Sequence, residues 1–181
     1  MVQLEAATYL ASQERWLDAR KQCRTITRNH PKFLPAWELR AKLSWHLGDL
    51  EDVVRTTRTL MRLNPHEPGY MLLLGMAHSN RGRHAEAVRV FQRALQMKAE
   101  PQFQKQVLAA MKQAEIEQTD TVIKLTSEDD SFRARFESDP VTACREQGFE
   151  FSWLAERKMA FEWRRAMEAE QTRRSPAQGR S

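Results

Sequence analysis

Residues 71–95 read MLLLGMAHSNRGRHAEAVRVFQRAL and predict two short helices joined at Gly82. Ala87 and Phe91 lie four residues apart, which places them on one face of the second helix. Gly75 lies on the first helix, where a residue without a side chain lets the partner helix approach closely. A hairpin of this size buries too little surface to fold alone, so similar units must pack beside it.

The same pattern recurs along the first half of the chain at a fixed offset of about 34 residues. Prolines, turn glycines and small or apolar positions all repeat at this spacing, which is not a period of the α-helix itself. Such a repeat indicates a solenoid of helical hairpins, each packed on its neighbours. The repeating residues are Pro31 and Pro65; Gly48 and Gly82; Trp37 and Met71; Ala19, Val53 and Ala87; Ile26, Leu60 and Ala94; and Cys23, Thr57 and Phe91.

These residues resemble the tetratricopeptide repeat family, whose unit is a helix–turn–helix of this length. The resemblance covers about residues 1–100 as three units, and it implies an all-α solenoid. The first unit has Glu14 where the family commonly has a turn glycine. The third unit matches best, through Leu74, Gly75, Gly82, Ala87, Phe91 and Ala94.

Four parts of the chain are predicted. The three units end in a capping helix that begins near Pro101, because the exposed end of a solenoid needs a polar outer side. The last residues are polar and basic without apolar content, and we expect them to be disordered. The parts are the units with their capping helix, 1–118; a connector, 119–126; a small C-terminal helical segment, 127–170; and a disordered tail, 171–181.

The C-terminal segment carries three signals for the start of a helix. Ser127 followed by Asp130 predicts a capping box, and an Asp-Pro pair at Asp139 and a serine at Ser152 predict two further caps. The last helix carries an apolar stripe, which we expect to fold back on the solenoid; the alternatives are docking on a partner and occupation of the solenoid's own groove. The stripe consists of Trp153, Ala160, Trp163 and Met167.

A second resemblance covers residues 129–154 only. Phe132-Arg133, Asp139-Pro140 and the sequence GFEFS at 148–152 are similar to the small helical domains of the nitrogen-fixation and leader-peptide type. The resemblance implies an accessory or chaperone role in peptide maturation or secretion as one alternative function. The glycine-rich cleavage site of that family's leaders does not follow, which argues against a precursor peptide.

Composition and charge predict a cytoplasmic helical protein. The chain is 41% hydrophobic and 29% charged, with a mean hydropathy of −0.69. Its N-terminus lacks the pattern of a signal peptide, and no stretch is apolar enough for a membrane span. The two cysteines are too few for a disulfide framework. The net charge of +5 resides in the first half of the chain, which favours acidic partners.

Motifs of known enzyme classes are missing from the sequence. We found no phosphate-binding glycine loop, zinc-protease motif or nucleophile elbow. The five histidines lie near predicted helix ends, where they commonly contact terminal carbonyls, so neither a metal site nor a cofactor is expected. Cys23 occupies a core position of its unit and is expected to be an inert thiol. The sequence therefore favours a non-enzymatic protein.

The tetratricopeptide resemblance implies a binding site on the concave face. In that family the first helix of each unit lines a groove that holds a peptide or protein segment, which suits an adaptor, a scaffold or a chaperone-like protein. We expect a partner with apolar anchors. Trp45 either faces the groove or packs against the neighbouring unit. The lining residues implied are Glu38, Lys42, Trp45, His46, Leu72, Met76, Ser79 and Asn80.

Arginine stripes on the second helices give another alternative function. Arg55, Arg58 and Arg62 share one face of a predicted helix, and Arg89 and Arg93 share one face of another. A solvated outer surface explains them most simply. The alternative is contact with nucleic acid phosphates, which the sequence disfavours because no aromatic residues are interleaved with the arginines.

Overall fold

The computed structural model of the protein describes residues 2–174. All regular elements in this part of the chain are α-helices, so the predicted all-α class is confirmed. Consecutive helices pack against one another from α1 to α7, and a second group of helices follows α7. The helices are α1 (Val2–Ser12), α2 (Trp16–Asn29), α3 (Leu34–His46), α4 (Leu50–Leu63), α5 (Gly69–Ser79), α6 (His84–Leu95), α7 (Pro101–Glu128), α8 (Asp130–Ser138), α9 (Pro140–Glu146) and α10 (Trp153–Arg174).

The turns within the three hairpins share one backbone conformation. Gly48 and Gly82 have φ values of 68° and 71°, in the left-handed region that glycine adopts without steric cost. Glu14 stands one repeat before Gly48 and adopts the same conformation, with φ 58°. The first unit therefore makes the turn of the other two although it lacks the glycine.

Close packing of α5 on α6 explains the glycine in the first helix of the third unit. A Cβ atom added at Gly75 would lie 2.2 Å from Cε1 of Phe91. The ring of Phe91 is fully buried, as are Ala87 and Ala94 on the same face of α6. The sequence pattern of residues 71–95 thus corresponds to the contact that holds the hairpin together.

A buried ion pair joins the two helices of the second unit. Asp52 on α4 is fully buried, and it accepts hydrogen bonds from Arg40 Nε at 3.1 Å, Arg40 Nη2 at 2.5 Å and the Ser44 hydroxyl at 2.7 Å. Burial alone would raise the pKa of Asp52, but these hydrogen bonds and the charges of Arg40 and Arg24 hold it below its usual value. The carboxylate is therefore charged and serves the packing of α3 on α4.

The capping helix α7 is longer than predicted. Its apolar face packs on α6 through Val107, Met111 and Ala114. The helix does not end near Gln118, however, and residues 119–126 are helical rather than an irregular connector. This stretch contains neither glycine nor proline, so no local signal interrupts the helix.

A second hydrophobic core lies beyond the solenoid. It is built from the end of α7 with α8, α9 and the segment before α10. Asp139 accepts hydrogen bonds from the backbone of Val141 and Thr142 and caps α9, as predicted. The expected capping box at Ser127 is wrong, because Asp129 caps α8 by accepting from Phe132 N at 2.9 Å. The buried residues of this core are Val122, Phe132, Ala143, Cys144 and Phe151.

The last helix begins at its predicted cap and extends past its predicted end. Ser152 Oγ accepts a hydrogen bond from Ala155 N at 3.3 Å. Helix α10 then continues to Arg174, so the start of the predicted tail, 171–174, is helical. The rest of that tail, 175–181, lies outside the described residues. The division of the chain into four parts stays a prediction.

Candidate functional site

Two positions on the first helices of the units are exposed in all three repeats. One is occupied by Lys42 in α3 and Met76 in α5, and the other by His46 and Asn80. The members of each pair are one repeat apart, and the equivalent residues of α1 are exposed as well. The side chain of Met76 is 37% exposed. We call these six residues the first-helix strip: Thr8, Ser12, Lys42, His46, Met76 and Asn80.

Two of the predicted lining residues instead form hydrogen bonds within the protein. Glu38 accepts from the Tyr70 hydroxyl at 2.6 Å, which joins α3 to α5. The pKa of Tyr70 is raised above its usual value, mainly by burial and secondly by this carboxylate. Ser79 Oγ lies 3.3 Å from His84 Nδ1, across the turn between α5 and α6. Both side chains are only half-exposed, so their polar atoms already serve the solenoid.

Two further predicted lining residues take part in core packing. Trp45 packs against the cluster that includes Val54 and Leu74, which supports its assignment to the neighbouring unit rather than to a groove. Leu72 packs against the cluster that includes Phe91. Both are partly buried, so each combines a packing role with a limited solvent-facing surface.

His46 is exposed but does not stand alone. Its ring stacks on Trp16 of α2 with the centroids 4.9 Å apart and the planes 12° apart. Stacking fixes the orientation of the imidazole and places an aromatic surface on the same helix as Lys42. The strip therefore presents a cation, an amide, a thioether and an aromatic pair.

The arginine stripes of α4 and α6 line a single groove, which we call the arginine groove. Helices α4 and α6 form its walls, α5 lies between them, and the groove has a volume of about 1230 Å³. Arg55 and Arg89 are one repeat apart, a signal that predicts them as neighbours on adjacent second helices. Sequence reasoning missed the contribution of the α5–α6 turn. The seven arginines are Arg55, Arg58, Arg62, Arg81, Arg83, Arg89 and Arg93.

A second, apolar groove lies near the C-terminus. It encloses about 820 Å³ between α6, α7 and the start of α10. Leu108, Ile116, Trp153 and Leu154 line it with side chains that are 44–71% exposed. The sequence did not predict this groove, because its formation depends on the end of α7 and on how α10 is anchored.

The apolar stripe of α10 does not fold back on the solenoid as a unit. Trp153 is 65% exposed, and Ala160 and Trp163 are half-exposed. In the described part of the chain, α10 packs on α9, where Arg145 Nη2 lies 2.6 Å from Glu156 Oε2. The side chain of Met167 lies outside the described residues.

Backbone contacts tie the segment before α10 to α7. Gln118 Nε2 donates to the Glu150 carbonyl at 2.7 Å, and Glu150 N donates to Gln118 Oε1 at 2.9 Å. Ser152 N donates to Glu115 Oε1 at 2.6 Å. Residues 150 and 152 thereby hold the segment before α10 against α7.

The surroundings of the cysteines and of the possible metal-binding side chains are those of groups that serve the fold. Burial raises the pKa of both Cys23 and Cys144 to about 11, which keeps the two thiols protonated. Among the described side chains, no group of three His, Cys, Asp or Glu is placed to hold a metal ion. None of the helices described is both long enough and apolar enough to cross a membrane.

A family model described as the bacterial transcriptional activator domain matches residues 8–101, just over half of the chain. The matched region begins within α1, ends at the first residue of α7 and contains the whole of α2 to α6. A search of curated protein sequences gave no significant match.

Solved structures share the fold over most of the chain. MamA is 12% identical with a TM-score of 0.58, and the alignment covers 99% of this chain and 97% of MamA. YrrB, described as a tetratricopeptide repeat protein with an unusual peptide-binding site, is 14% identical with a TM-score of 0.53, over 89% of this chain and 80% of YrrB. A thermophilic tetratricopeptide repeat protein of Thermus thermophilus is 14% identical with a TM-score of 0.50, over 89% of this chain and 79% of that protein. The predicted tetratricopeptide architecture is thereby confirmed.

Proposed function

The chain belongs to the bacterial transcriptional activator domain family, and we propose that it is a non-enzymatic adaptor that binds a protein or peptide segment on the first-helix strip. The family description suggests a setting in bacterial regulation. In that setting the chain brings another protein into a regulatory assembly and performs no chemistry on it.

The exposure pattern of the first helices is the observation that carries this proposal. Core positions of a repeat must be buried in every unit, whereas positions kept exposed in every unit are available to a partner. The Lys42–Met76 and His46–Asn80 positions behave in the second way. They lie on neighbouring helices in one register, so a single segment crossing the units contacts both.

The side chains of the strip fit a segment with apolar anchors. Met76 offers a flexible thioether that adapts to differently shaped apolar groups. Lys42 offers one positive charge, and Asn80 offers an amide that both donates and accepts hydrogen bonds. Recognition by scattered polar groups around an apolar contact suits an adaptor or a chaperone-like protein that holds an extended or helical segment.

A binding role also agrees with how the protein uses its buried charge. Asp52, the fully buried carboxylate of the second unit, is held by Arg40 and Ser44 and is not directed at a cleft. The thiols of Cys23 and Cys144 are protonated in their cores. We place the protein in the cytoplasm, where such free thiols persist. An accessory role in peptide maturation, suggested by residues 129–154, stays a prediction.

The proposal is tested with peptides selected from a random display library on the immobilised full-length chain. Their affinities for variants are then measured by fluorescence anisotropy. Met76→Ala is expected to weaken binding about tenfold, because a methionine loses most of its contact area with the ligand. Lys42→Glu is expected to weaken binding of peptides that carry a carboxylate.

Two exposed residues outside the strip provide matched controls. Leu108→Ala truncates an apolar side chain on α7, and Lys21→Glu reverses a charge on α2. If the selected peptides lose affinity for Leu108→Ala and retain it for Met76→Ala, the binding site lies in the C-terminal groove and the proposal is wrong.

A further inference from the structure

The arginine groove lies on a different side of the solenoid from the first-helix strip. Its floor includes Met71, Leu74 and His78, whereas the strip uses Met76 of the same helix and Asn80, which follows the last residue of that helix. The two sets project from different faces of α5, because residues two apart on a helix point in nearly opposite directions. A ligand in the groove therefore leaves the strip accessible.

Positive charge dominates the lining of the groove. Seven arginines face two glutamates, Glu51 and Glu86. Among the described residues, Arg55 is the only one of the seven in an ion pair, at 3.9 Å from Asp52. Arg62 donates to the hydroxyl of Thr59 at 3.2 Å. Most of these guanidinium groups are thus left without a carboxylate, which concentrates positive potential in a recess.

The floor of the groove is largely apolar. Val54 and Met61 of α4, Leu74 of α5 and Val90 of α6 contribute to it. Their side chains are buried or half-buried, so a ligand that reaches the floor removes further apolar surface from water. A ligand suited to this groove combines negative charges at its edges with an apolar group at its centre.

His78 supplies an independent indication that the groove is a site. Its side chain is only 4% exposed, and its Nδ1 has no hydrogen-bond partner among the described residues. Buried polar atoms are nearly always paired, because an unpaired one loses its hydrogen bonds to water without compensation. His78 lines the groove, so this unpaired buried atom belongs to a residue of the groove itself.

These features favour a polypeptide over a nucleic acid. The groove lining contains no Phe, Tyr or Trp, so single-stranded bases find no aromatic surface for stacking. A duplex carries its phosphates on a convex surface, which touches the walls and leaves the apolar floor unfilled. Glutamate and aspartate side chains pair with guanidinium groups through two parallel hydrogen bonds, and a neighbouring leucine or similar residue fits the floor.

We propose that the arginine groove binds an acidic polypeptide segment. Its carboxylates pair with arginines of both walls, including Arg58 on α4 and Arg89 on α6, while an apolar side chain of the segment contacts Val54 and Val90. The two walls belong to different repeat units, so the ligand bridges the second and third units. This site is separate from the first-helix strip, so either proposal can be correct without the other.

The probe for this proposal is a fluorescein-labelled peptide of repeated Glu-Glu-Leu, titrated with the full-length chain and followed by anisotropy. The double variant R58Q/R89Q is expected to raise the Kd about tenfold, since it removes one solvent-exposed ion pair from each wall. Both arginines are exposed, so the variant should fold. The matched control R28Q/K105Q removes two exposed charges elsewhere and should leave the Kd within about twofold.

Two further probes separate the contributions of charge, apolar contact and nucleic acid. A peptide with glutamine in place of glutamate should not bind, because the guanidinium groups then lack carboxylate partners. A random-sequence DNA duplex should bind more weakly than the acidic peptide at equal concentration of negative charge. Methionine-methyl NMR should show that the acidic peptide shifts the signals of Met61 and Met71, which line the groove.

Three results would overturn the proposal. The first is a Kd for the acidic peptide that R58Q/R89Q leaves unchanged or that both double variants raise equally. The second is tighter binding of the duplex than of the peptide, with the same loss in R58Q/R89Q, which would assign the groove to nucleic acid. The third is the absence of any anisotropy change with the wild-type chain.

Discussion

The ring of Phe91 on α6 occupies the space that a side chain at Gly75 on α5 would need. A Cβ atom at Gly75 would lie within 2.7 Å of three ring carbons of Phe91. The ring cannot move aside easily, because it is fully buried among Ala87, Val88 and Ala94. The spacing of α5 and α6, and with it the geometry of the third unit, depends on this contact.

Gly75→Ala is therefore expected to destabilise the protein by about 1–3 kcal/mol, the usual cost of overpacking a core. This cost exceeds the gain of up to about 1 kcal/mol that alanine offers in a helix. Urea unfolding followed by circular dichroism measures the difference. Gly69→Ala is the matched control on the same helix, where the nearest atom is the side-chain oxygen of the exposed Glu67. Equal effects of the two substitutions would show that the contact of Gly75 with Phe91 does not set the spacing of α5 and α6.

Glu14→Gly is expected to stabilise the protein by up to about 1 kcal/mol. A left-handed backbone costs a non-glycine residue about 1–2 kcal/mol, and part of the gain is offset by the greater freedom of glycine in the unfolded chain. The matched substitution Gly48→Ala introduces the same strain in the second unit and should lower the midpoint of thermal unfolding. A lower midpoint for Glu14→Gly would show that the side chain contributes more than its backbone conformation costs.

We expect the protein to lose stability in mild acid because of His78. Burial lowers the pKa of His78 below its usual 6.5, and the charges of Arg58, Arg81 and Arg83 lower it further against the opposing effect of Glu86. The unfolded chain then binds a proton at a higher pH than the folded protein does. The contribution of His78 is complete above about pH 6.5 and is lost as the pH falls through the folded pKa.

Urea unfolding measured between about pH 7.5 and pH 5 tests this expectation. His78→Gln should flatten the dependence of unfolding free energy on pH, whereas His66→Gln, which changes an exposed histidine, serves as the control. The pKa of Asp52 is also lowered, from 3.8, so its contribution is lost only at more acidic pH. An unchanged slope in His78→Gln would contradict the assignment.

Gln118→Ala is expected to release the C-terminal segment without unfolding the solenoid. It leaves the backbone N–H and carbonyl of Glu150 without their partners, at a cost of about 1–3 kcal/mol each where they stay buried. Amide hydrogen exchange should accelerate at 149–152 and stay unchanged in α5 and α6. The exposed Gln113→Ala on the same helix is the control. Equal acceleration in α5 and α6 would show that the two cores unfold together.

The sequence repeat was sufficient to predict the hairpins, because each unit carries its own small residues, turn and core positions. The contact of Gly75 with Phe91 follows from that pattern. The end of α7 could not be predicted from the repeat. Helix propensity continues through 119–126, and the helix ends only at Asp129, which caps the next helix. Local sequence signals thus predicted the units better than the junction beyond them.

The candidate site was predicted only in part, for a physical reason. A register position shows which way a side chain points, but not which neighbouring unit already contacts it. Glu38 points to the predicted face and yet is bonded to Tyr70, while Lys42, one turn later, is exposed to solvent. The arginine groove could not be predicted from the sequence, because the arginine stripes of α4 and α6 do not show how far apart the two helices lie.

Methionine-methyl NMR of the full-length chain tests the adaptor proposal most directly. Met76 lies on the first-helix strip, Met61 and Met71 line the arginine groove, and Met159 lines the C-terminal groove, so each candidate surface has its own signal. With a peptide selected on the chain, we expect a saturable shift of the Met76 methyl while the Met159 methyl stays unchanged. A peptide that binds and shifts Met159 while leaving Met76 unchanged would contradict it.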